Sequence, residues 1–288
     1  MEWTPGGTSD DIEDRRDEGG GGGGGPVFGG FGPHLGIGGT IALLVLSFVF
    51  KQNFFTSVAP SRSGSYPDRS TSQPRDRDPS ARTEVHFVSF VLDDVQHTWE
   101  KLLPAAGAQY RHAKLVLFRD ITRSACGTAE SATGPFYCPG DEKVYIDLEF
   151  FDELRQKFGA PGEFAQAYVL AHEIGHHVQK LLGLERQMRR RQQANPSARN
   201  ALSVSFELQA DCLAGVWANT TEKRQIIDQN DIASGLRAAA AVGDDRLQRM
   251  ATGRVSPESF THGSSAQRTT WFRRGLESGE VSACNSFQ

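Results

Sequence analysis

The pentapeptide His172-Glu173-Ile174-Gly175-His176 restricts the fold of this chain more than any other feature. Residues i and i+4 lie on the same face of an α-helix, so both imidazoles can reach one metal ion if this stretch is helical. Glu173 can then reach a water bound to that ion, as the general base. The pattern fixes only three residues, so it predicts a zinc-dependent hydrolase site only where the flanking sequence agrees.

A catalytic zinc ion usually has three protein ligands and one position open for water. A third histidine ten residues after His172 is excluded, because that position is Leu182. Glu207 and Asp211 are the alternative, since they share one face of a later stretch with apolar neighbours. We predict that Glu207 binds zinc and that Asp211 accepts the N–H of a ligand histidine. A solvated acidic pair on a helix surface is the competing interpretation.

The N-terminal part of the chain is poor in residues that could form a core. Glycine fills residues 19–25 after an acidic stretch, and residues 61–82 are rich in Ser, Pro, Arg and Asp. Neither stretch buries enough apolar surface to offset its ordering entropy, so residues 1–30 and 53–84 are predicted to be disordered. Residues 85–288 are predicted to form one folded domain. The net charge of −4 argues against a nucleic-acid partner.

An uncharged stretch lies between the two polar segments. No Asp, Glu, Lys or Arg occurs in residues 26–50, and about 20 mostly apolar residues are enough to span a bilayer. A signal peptide would start with a short basic region, which is absent, and no clear A-x-A cleavage site follows. A buried core helix is the other alternative. We predict a single transmembrane helix over residues 31–52, which anchors the protein in a membrane.

The four cysteines indicate whether the folded domain lies in an oxidising or a reducing compartment. Cys126, Cys138, Cys212 and Cys284 could form two disulfides, as is typical of an oxidising environment. Three pairings are open; Cys126–Cys138 and Cys212–Cys284 are favoured, and free buried thiols are the alternative. The basic residues that follow the apolar stretch weakly favour a cytoplasmic C-terminal domain instead.

Hydrophobic periodicity predicts an α+β domain, mostly helical with a small sheet. The predicted helices cover residues 86–103, 149–158, 163–182, 201–218, 231–250 and 266–276. Two short β-branched and aromatic runs, 115–118 and 144–148, are predicted strands, and Gly183 is the expected cap of the motif helix. From the order of elements alone, we expect the strand at 144–148 to be the sheet edge that binds a peptide backbone.

Several further side chains are candidates outside the motif. His262, within Thr-His-Gly-Ser-Ser, is predicted to stabilise the oxyanion of a reacting carbonyl. Tyr145 and Tyr168 could do so instead, although a core position is the more common one for tyrosine. His177 points about 100° away from the neighbouring ligand and is predicted to be structural. Four clustered arginines are predicted to form a solvated helix face, with anionic lipid as the alternative contact: Arg186, Arg189, Arg190 and Arg191.

Longer runs carry a resemblance to a known family. They are Asp-Ile-Glu-Asp-Arg-Arg (11–16), Ser-Ala-Cys-Gly (124–127), Gly-Pro-Phe-Tyr-Cys-Pro (134–139), Lys-Val-Tyr-Ile-Asp (143–147), His-Glu-Ile-Gly-His-His-Val-Gln (172–179), Glu-Leu-Gln-Ala-Asp-Cys-Leu-Ala-Gly-Val-Trp (207–217) and Phe-Thr-His-Gly-Ser-Ser-Ala-Gln-Arg (260–268). With these runs and its single apolar stretch, the chain resembles the neutral zinc metallopeptidase family of bacterial membrane-anchored proteins. The resemblance implies a zincin-like catalytic domain with zinc on His172, His176 and Glu207, and with Glu173 as the catalytic residue. It also implies a cytoplasmic N-terminus and a catalytic domain outside the inner membrane.

Together these features predict a membrane-anchored zinc metallopeptidase that hydrolyses peptide bonds, with Zn²⁺ as cofactor and a peptide or protein as substrate. Zinc would activate a water and polarise the scissile carbonyl, while Glu173 would move the proton to the leaving amine. The alternative is a non-catalytic, membrane-tethered binding or assembly module that retains a zincin fold. A purely structural zinc site is normally closed by four ligands, which favours the enzyme. The sequence does not specify an oligomeric state.

Overall fold

The computed structural model describes residues 1–18, 79–130 and 134–287. Its strands are β1 (Ile12–Asp14), β2 (Lys114–Phe118), β3 (Ile121–Ser124), β4 (Gly127–Glu130), β5 (Phe136–Cys138) and β6 (Lys143–Asp147). One sheet has the order β1-β2-β6-β5, in which β1, β2 and β6 are parallel and β5 is antiparallel to β6. The other two strands, β3 and β4, form a separate antiparallel hairpin.

The helices make up most of the described chain. They are α1 (Pro79–Leu102), α2 (Glu149–Gln156), α3 (Glu163–Leu181), α4 (Leu184–Ala194), α5 (Arg199–Lys223), α6 (Gln229–Ala241), α7 (Asp244–Thr252) and α8 (Ser265–Ser278). The predicted α+β class, mostly helical with a small sheet, is therefore confirmed. The helix predicted over 231–250 is two helices, because Gly243 is extended between them. A Cβ at Gly243 would lie 2.3 Å from the Ser265 backbone nitrogen, so only glycine fits this close approach.

Both faces of the sheet are covered, which explains the continuous apolar runs in its central strands. Leu115 and Leu117 of β2 belong to the main core, which also contains the buried face of α1. Val116 and Phe118 point to the opposite face, where the β3–β4 hairpin contributes Ala129 to a second cluster. The main core thus lies between the sheet and the helices, and the hairpin protects the other face.

Residues 1–18 contradict the predicted disorder of residues 1–30. The segment contributes β1 to the sheet, with Ile12 opposite Leu115, and Trp3 packs on Phe87 with ring centroids 5.3 Å apart. Ion pairs attach the strand: Asp11 with Lys114 at 2.8 Å and Glu13 with Lys143 at 2.6 Å. The physical reason for the error is that these partners lie over one hundred residues away in sequence. Local composition therefore gives no sign of the contacts.

Two further boundaries differ from prediction. β6, expected at the sheet edge, lies between β2 and β5, because the chain first runs along the outer strand β5 and then turns back after Cys138 into β6, antiparallel to it. Residues 79–84, assigned to the linker, lie in α1. The predicted transmembrane helix at 31–52 lies outside the described residues. Within the ranges that are described, no helix is long and apolar enough to cross a membrane.

Both favoured disulfides are present. Cys126 pairs with Cys138 beside the β3–β4 hairpin, and Cys212 of α5 pairs with Cys284 near the C-terminus. The second bridge is buried among helices and joins residues 72 positions apart in sequence. No cysteine of this chain is free.

Candidate metal centre

The motif helix α3 lies in the middle of the helical layer. His172 and Glu173 are both largely buried, at 6% and 8% exposure, and His176 is half-buried. The helix ends before Gly183, whose left-handed φ of 74° matches its predicted role as a cap. Both motif histidines therefore project from a rigid, well-packed element, as a preorganised metal site requires.

The glycine inside the motif allows α5 to approach α3 closely. A Cβ at Gly175 would lie 3.1 Å from the carbonyl oxygen of Ala210 on α5, tighter than ordinary van der Waals contact. Glu207 and Asp211 are one turn before and one residue after Ala210, so this crossing brings both carboxylates to the histidines. Gly175 thus positions the predicted third ligand, a role that the motif alone does not reveal.

Three side chains converge as a candidate metal-binding set. The ligand atoms of His172, His176 and Glu207 all lie within 4.8 Å of one another. His172 Nε2 is 3.2 Å from one Glu207 carboxylate oxygen, and His176 Nε2 is 3.5 Å from the other. Tetrahedral zinc with bonds of about 2.0–2.1 Å separates its ligand atoms by about 3.3–3.4 Å. The observed spacing therefore fits zinc.

The charge around these ligands also fits a divalent cation. Glu173, Glu207 and Asp211 carry three carboxylates and Arg268 one guanidinium, so these four groups have a net charge of −2 once a metal takes the place of the protons on the ligand nitrogens. Burial would raise the pKa of Glu207, but the neighbouring histidines hold it well below its ordinary value. Glu207 is therefore an anionic ligand, and a bound cation would balance the surplus charge.

A buried network orients His172. Its Nδ1 lies 2.9 Å from Asp211 Oδ1, and because a carboxylate accepts, Nδ1 carries the proton and Nε2 is left for a metal. Arg268 donates to both oxygens of Asp211 at 2.9 Å, and the Tyr168 hydroxyl donates at 2.5 Å. Asp211 thus accepts the N–H of a predicted ligand histidine, as expected, whereas the contribution of Arg268 was not anticipated.

Arg268 reaches this network because α8 crosses α5 at two glycines. A Cβ at Gly275 would lie 1.9 Å from the Cys212 carbonyl oxygen, and one at Gly215 would lie 2.1 Å from that of Phe272. The two backbones therefore touch at this crossing, which only glycine permits. The sequence signal that could have identified the contact is this pair of glycines on two predicted helices.

His176 is held by different groups. Its Nδ1 is 2.8 Å from Gln179 Oε1, and its ring stacks on Phe206 with centroids 5.3 Å apart. Gln179 is thus the hydrogen-bond partner of a predicted ligand, a role that the motif pattern alone does not predict.

Glu173 lies beside the two histidines without a partner of its own. Within the described chain, no hydrogen bond or ion pair joins its carboxylate to another residue. Its oxygens are consequently available to a water or a substrate group at the metal.

His262 lies near the centre, in the loop that precedes α8. Asp244 Oδ2 accepts the backbone N–H groups of Thr261, His262 and Gly263, and its other oxygen lies 3.1 Å from His262 Nδ1. Burial would lower the pKa of His262, but Asp244 and Glu207 outweigh it and raise that pKa. The imidazole is therefore near enough to Glu207 to interact with it electrostatically.

The other candidate side chains are occupied by structural contacts. The Tyr168 hydroxyl donates to Asp211, and that of Tyr145 donates to Asp141 on the far side of the sheet. Buried His177 donates from Nε2 to the Arg111 carbonyl at 2.7 Å and accepts from the Tyr137 hydroxyl at 2.9 Å. Each of these contacts is structural, which leaves His262 as the candidate next to the metal ligands.

A helix that carries two histidines and faces a glutamate on a second helix defines a class, the zinc-dependent hydrolases. The chain belongs to the family described as "Putative neutral zinc metallopeptidase", whose model matches residues 1–287. It is 44% identical over 290 residues to "Uncharacterized protein YpfJ" of Escherichia coli (strain K12), which covers 100% of this chain and 99% of that protein. It is also 44% identical over 206 residues to "Uncharacterized protein Rv2575" of Mycobacterium tuberculosis, with 68% of each chain covered. No solved structure matches the chain.

Proposed function

We propose that this protein is a membrane-anchored zinc peptidase that cuts peptide bonds in a protein or peptide substrate. The observation that carries the proposal is the convergence of His172, His176 and Glu207 beside the carboxylate of Glu173, which has no hydrogen-bond or ion-pair partner among the described residues. Membership of the metallopeptidase family supports the same class of reaction.

The residues divide the chemistry between them. A zinc ion on His172, His176 and Glu207 would lower the pKa of a bound water and polarise the scissile carbonyl. Glu173 takes the proton of the attacking water and delivers it to the leaving amine. Asp211 keeps the proton of His172 on Nδ1, so that Nε2 stays directed at the metal position.

We assign His262 to the negative charge that develops on the substrate carbonyl oxygen. Asp244 holds its Nδ1 side and favours the protonated ring, which leaves Nε2–H as a donor. The same carboxylate fixes three consecutive backbone N–H groups of the loop. His262 is thus held in place before substrate binds.

We place the substrate backbone along β5 rather than β6. β5 is the outer strand at this end of the sheet, and Tyr137 within it contacts His177 of α3, one residue after the ligand His176. A peptide added as a further strand there would run alongside the motif helix.

We further propose that residues 31–52 hold the protein at the inner membrane and that the catalytic domain is extracytoplasmic. The two disulfides support an oxidising compartment. Because residues 1–18 and the segment from residue 79 onward share one sheet, both lie on the same side of a membrane whenever β1 is paired. A single crossing with the N-terminus inside therefore requires β1 to be unpaired.

Epitope tags at the two ends of the protein distinguish these arrangements. If β1 is paired in the cell, protease added to spheroplasts removes both tags. Removal of the C-terminal tag alone would show a single crossing with β1 unpaired, and protection of both would contradict the extracytoplasmic domain.

The Glu173→Gln variant tests the enzymatic proposal. Zinc content should stay near one ion per chain while hydrolysis of casein or a peptide library disappears, since only the proton-transfer group is changed. The matched control is Glu207→Ala, which should lose the zinc. If the wild type binds zinc but cleaves no peptide in such a library, the non-catalytic binding module becomes the better explanation.

A further inference from the structure

A line of buried side-chain amides leads from the metal centre to the C-terminal disulfide. Gln179 Oε1 lies 2.8 Å from His176 Nδ1, and Gln179 Nε2 donates to Gln209 Oε1 at 2.9 Å. Gln209 Nε2 in turn donates to the Cys284 carbonyl at 2.9 Å. Gln179 is fully buried and Gln209 nearly so. A buried amide without a hydrogen-bond partner destabilises the folded state, so the fold keeps both glutamines in the orientations that make these bonds.

The direction of every hydrogen bond in this line is set by its last member. The Cys284 carbonyl can only accept, so Gln209 must present Nε2 to it and Oε1 to Gln179. Gln179 must then present Nε2 to Gln209 and Oε1 to His176. His176 Nδ1 therefore carries a proton, so Nε2 is the ring nitrogen that can face a metal.

Phe206 supports the same orientation. Its carbonyl accepts a second bond from Gln179 Nε2 at 2.7 Å, and its ring stacks on the His176 imidazole at an interplanar angle of 20°. A single amide thus fixes both the proton position of the histidine and the residue that packs on its ring.

The disulfide holds the terminal acceptor in place. Cys284 ends a short 3₁₀ turn, Val281–Cys284, and its bridge to Cys212 ties that turn to α5, three residues after Gln209. Without the bridge, the Cys284 carbonyl would lose its covalent attachment to the helix that carries Gln209. The position of this carbonyl is therefore linked to the oxidation state of the two cysteines.

We infer that Gln179 is a positioning residue for the metal ligand His176, and that Gln209 and the Cys212–Cys284 disulfide maintain its orientation. Zinc affinity consequently depends on a disulfide that does not touch the metal ligands. The inference rests on the proposed zinc site. It extends that site to Gln209 and the Cys284 carbonyl, which lie two and three hydrogen bonds from His176.

Zinc affinity, measured by competition with a chromophoric chelator, tests the inference without reference to catalysis. Gln179→Leu should weaken zinc binding roughly 10–100-fold, the usual effect of losing a hydrogen bond to a ligand histidine. Gln209→Leu and the double variant Cys212→Ser/Cys284→Ser should weaken it in the same direction by less. Two controls should bind like the wild type: Gln192→Leu, an amide outside the line, and Cys126→Ser/Cys138→Ser, the other disulfide.

The tautomer of His176 provides a second measurement. In ¹⁵N-edited NMR spectra of the zinc-free wild type, Nδ1 of His176 should carry a proton, and Gln179→Leu should lower the fraction of rings protonated at that nitrogen. Far-UV circular dichroism of each variant identifies any that fails to fold. Wild-type zinc affinity in folded Gln179→Leu, or an Nδ1 without a proton in the wild type, would overturn the inference. Absence of zinc binding by the wild type would instead overturn the proposed metal site itself.

Discussion

Two charged networks hold parts of this molecule together at very different depths. Behind the metal centre, Arg268 pairs with Asp211 at 2.9 Å, and the two side chains are 5% and 0% exposed. At the edge of the sheet, Asp11 of the N-terminal segment pairs with Lys114 and His112, whose side chains are 43% and 38% exposed. The first network is inaccessible to water, and the second is partly solvated.

The difference in depth determines what each network can do. Loss of one partner from a buried ion pair leaves an uncompensated charge in a low dielectric, whereas exposed pairs are screened and contribute little individually. The buried network therefore fixes one geometry for His172, as a metal ligand needs. The partly solvated network attaches β1 through several weak contacts that respond to solution conditions.

The largest expected effect on stability is that of Arg268→Met. It should lower the free energy of unfolding by about 3–5 kcal/mol, because Asp211 stays buried without its guanidinium. Chemical denaturation of the metal-free protein measures it. Arg273→Met on the same helix, where the side chain is exposed, is the control and should change the free energy by less than about 0.5 kcal/mol. Equal effects in the two variants would contradict the cost assigned to leaving Asp211 buried without a partner.

On the catalytic side, His262→Ala should lower kcat by about 10²–10³-fold while zinc content and unfolding free energy change little. Its side chain is 44% exposed and contributes little to the core. Asp244→Asn should lower kcat by less, because the loop keeps its other contacts. A normal kcat in His262→Ala would exclude this residue as the oxyanion donor.

The two regions also differ in how far the sequence predicts them. The helix of the motif and the convergence of Glu207 follow from spacing and from the number of ligands that zinc needs, both local or chemical rules. Arg268 and Gln179 could not be placed, because their contacts depend on helix crossings that Gly175 and Gly275 permit. Those crossings are tertiary features, and residue periodicity does not encode them.

β1 was missed for a different reason. Its three residues include two acids, and such a strand has neither the length nor the alternation of a predictable one. What stabilises it is a set of basic partners far along the chain, such as Lys143. Composition correctly describes the segment as polar but does not reveal that the polarity is complementary to the sheet edge.

Asp11→Ala tests the attachment of β1. The carboxylate accepts from Gln96 at 2.8 Å, Lys114 and His112, so its loss should destabilise the protein by about 1.5–3 kcal/mol. Zinc affinity should be unaffected, since the network does not include any metal ligand. The control is Asp10→Ala, whose side chain makes no hydrogen bond or ion pair among the described residues. Hydrogen exchange at residues 12–14 would localise the effect; unchanged protection in Asp11→Ala would contradict the role of the ion pairs.

The smallest effect is a dependence on pH that comes from His112. Burial would lower its pKa, but hydrogen bonds to Asp11 and Glu100 raise it above the ordinary value of about 6.5. The folded state thus binds the proton more tightly, so the stabilisation is complete below about pH 6.5 and is lost as pH rises through the raised pKa. Amide protection of β1 should consequently fall on going from pH 6 to pH 8. His112→Asn should remove this pH dependence, whereas His97→Asn, whose ring hydrogen-bonds the Asp93 carbonyl within its own helix, should preserve it. A pH dependence that survives in His112→Asn would mean that another group controls the attachment of β1.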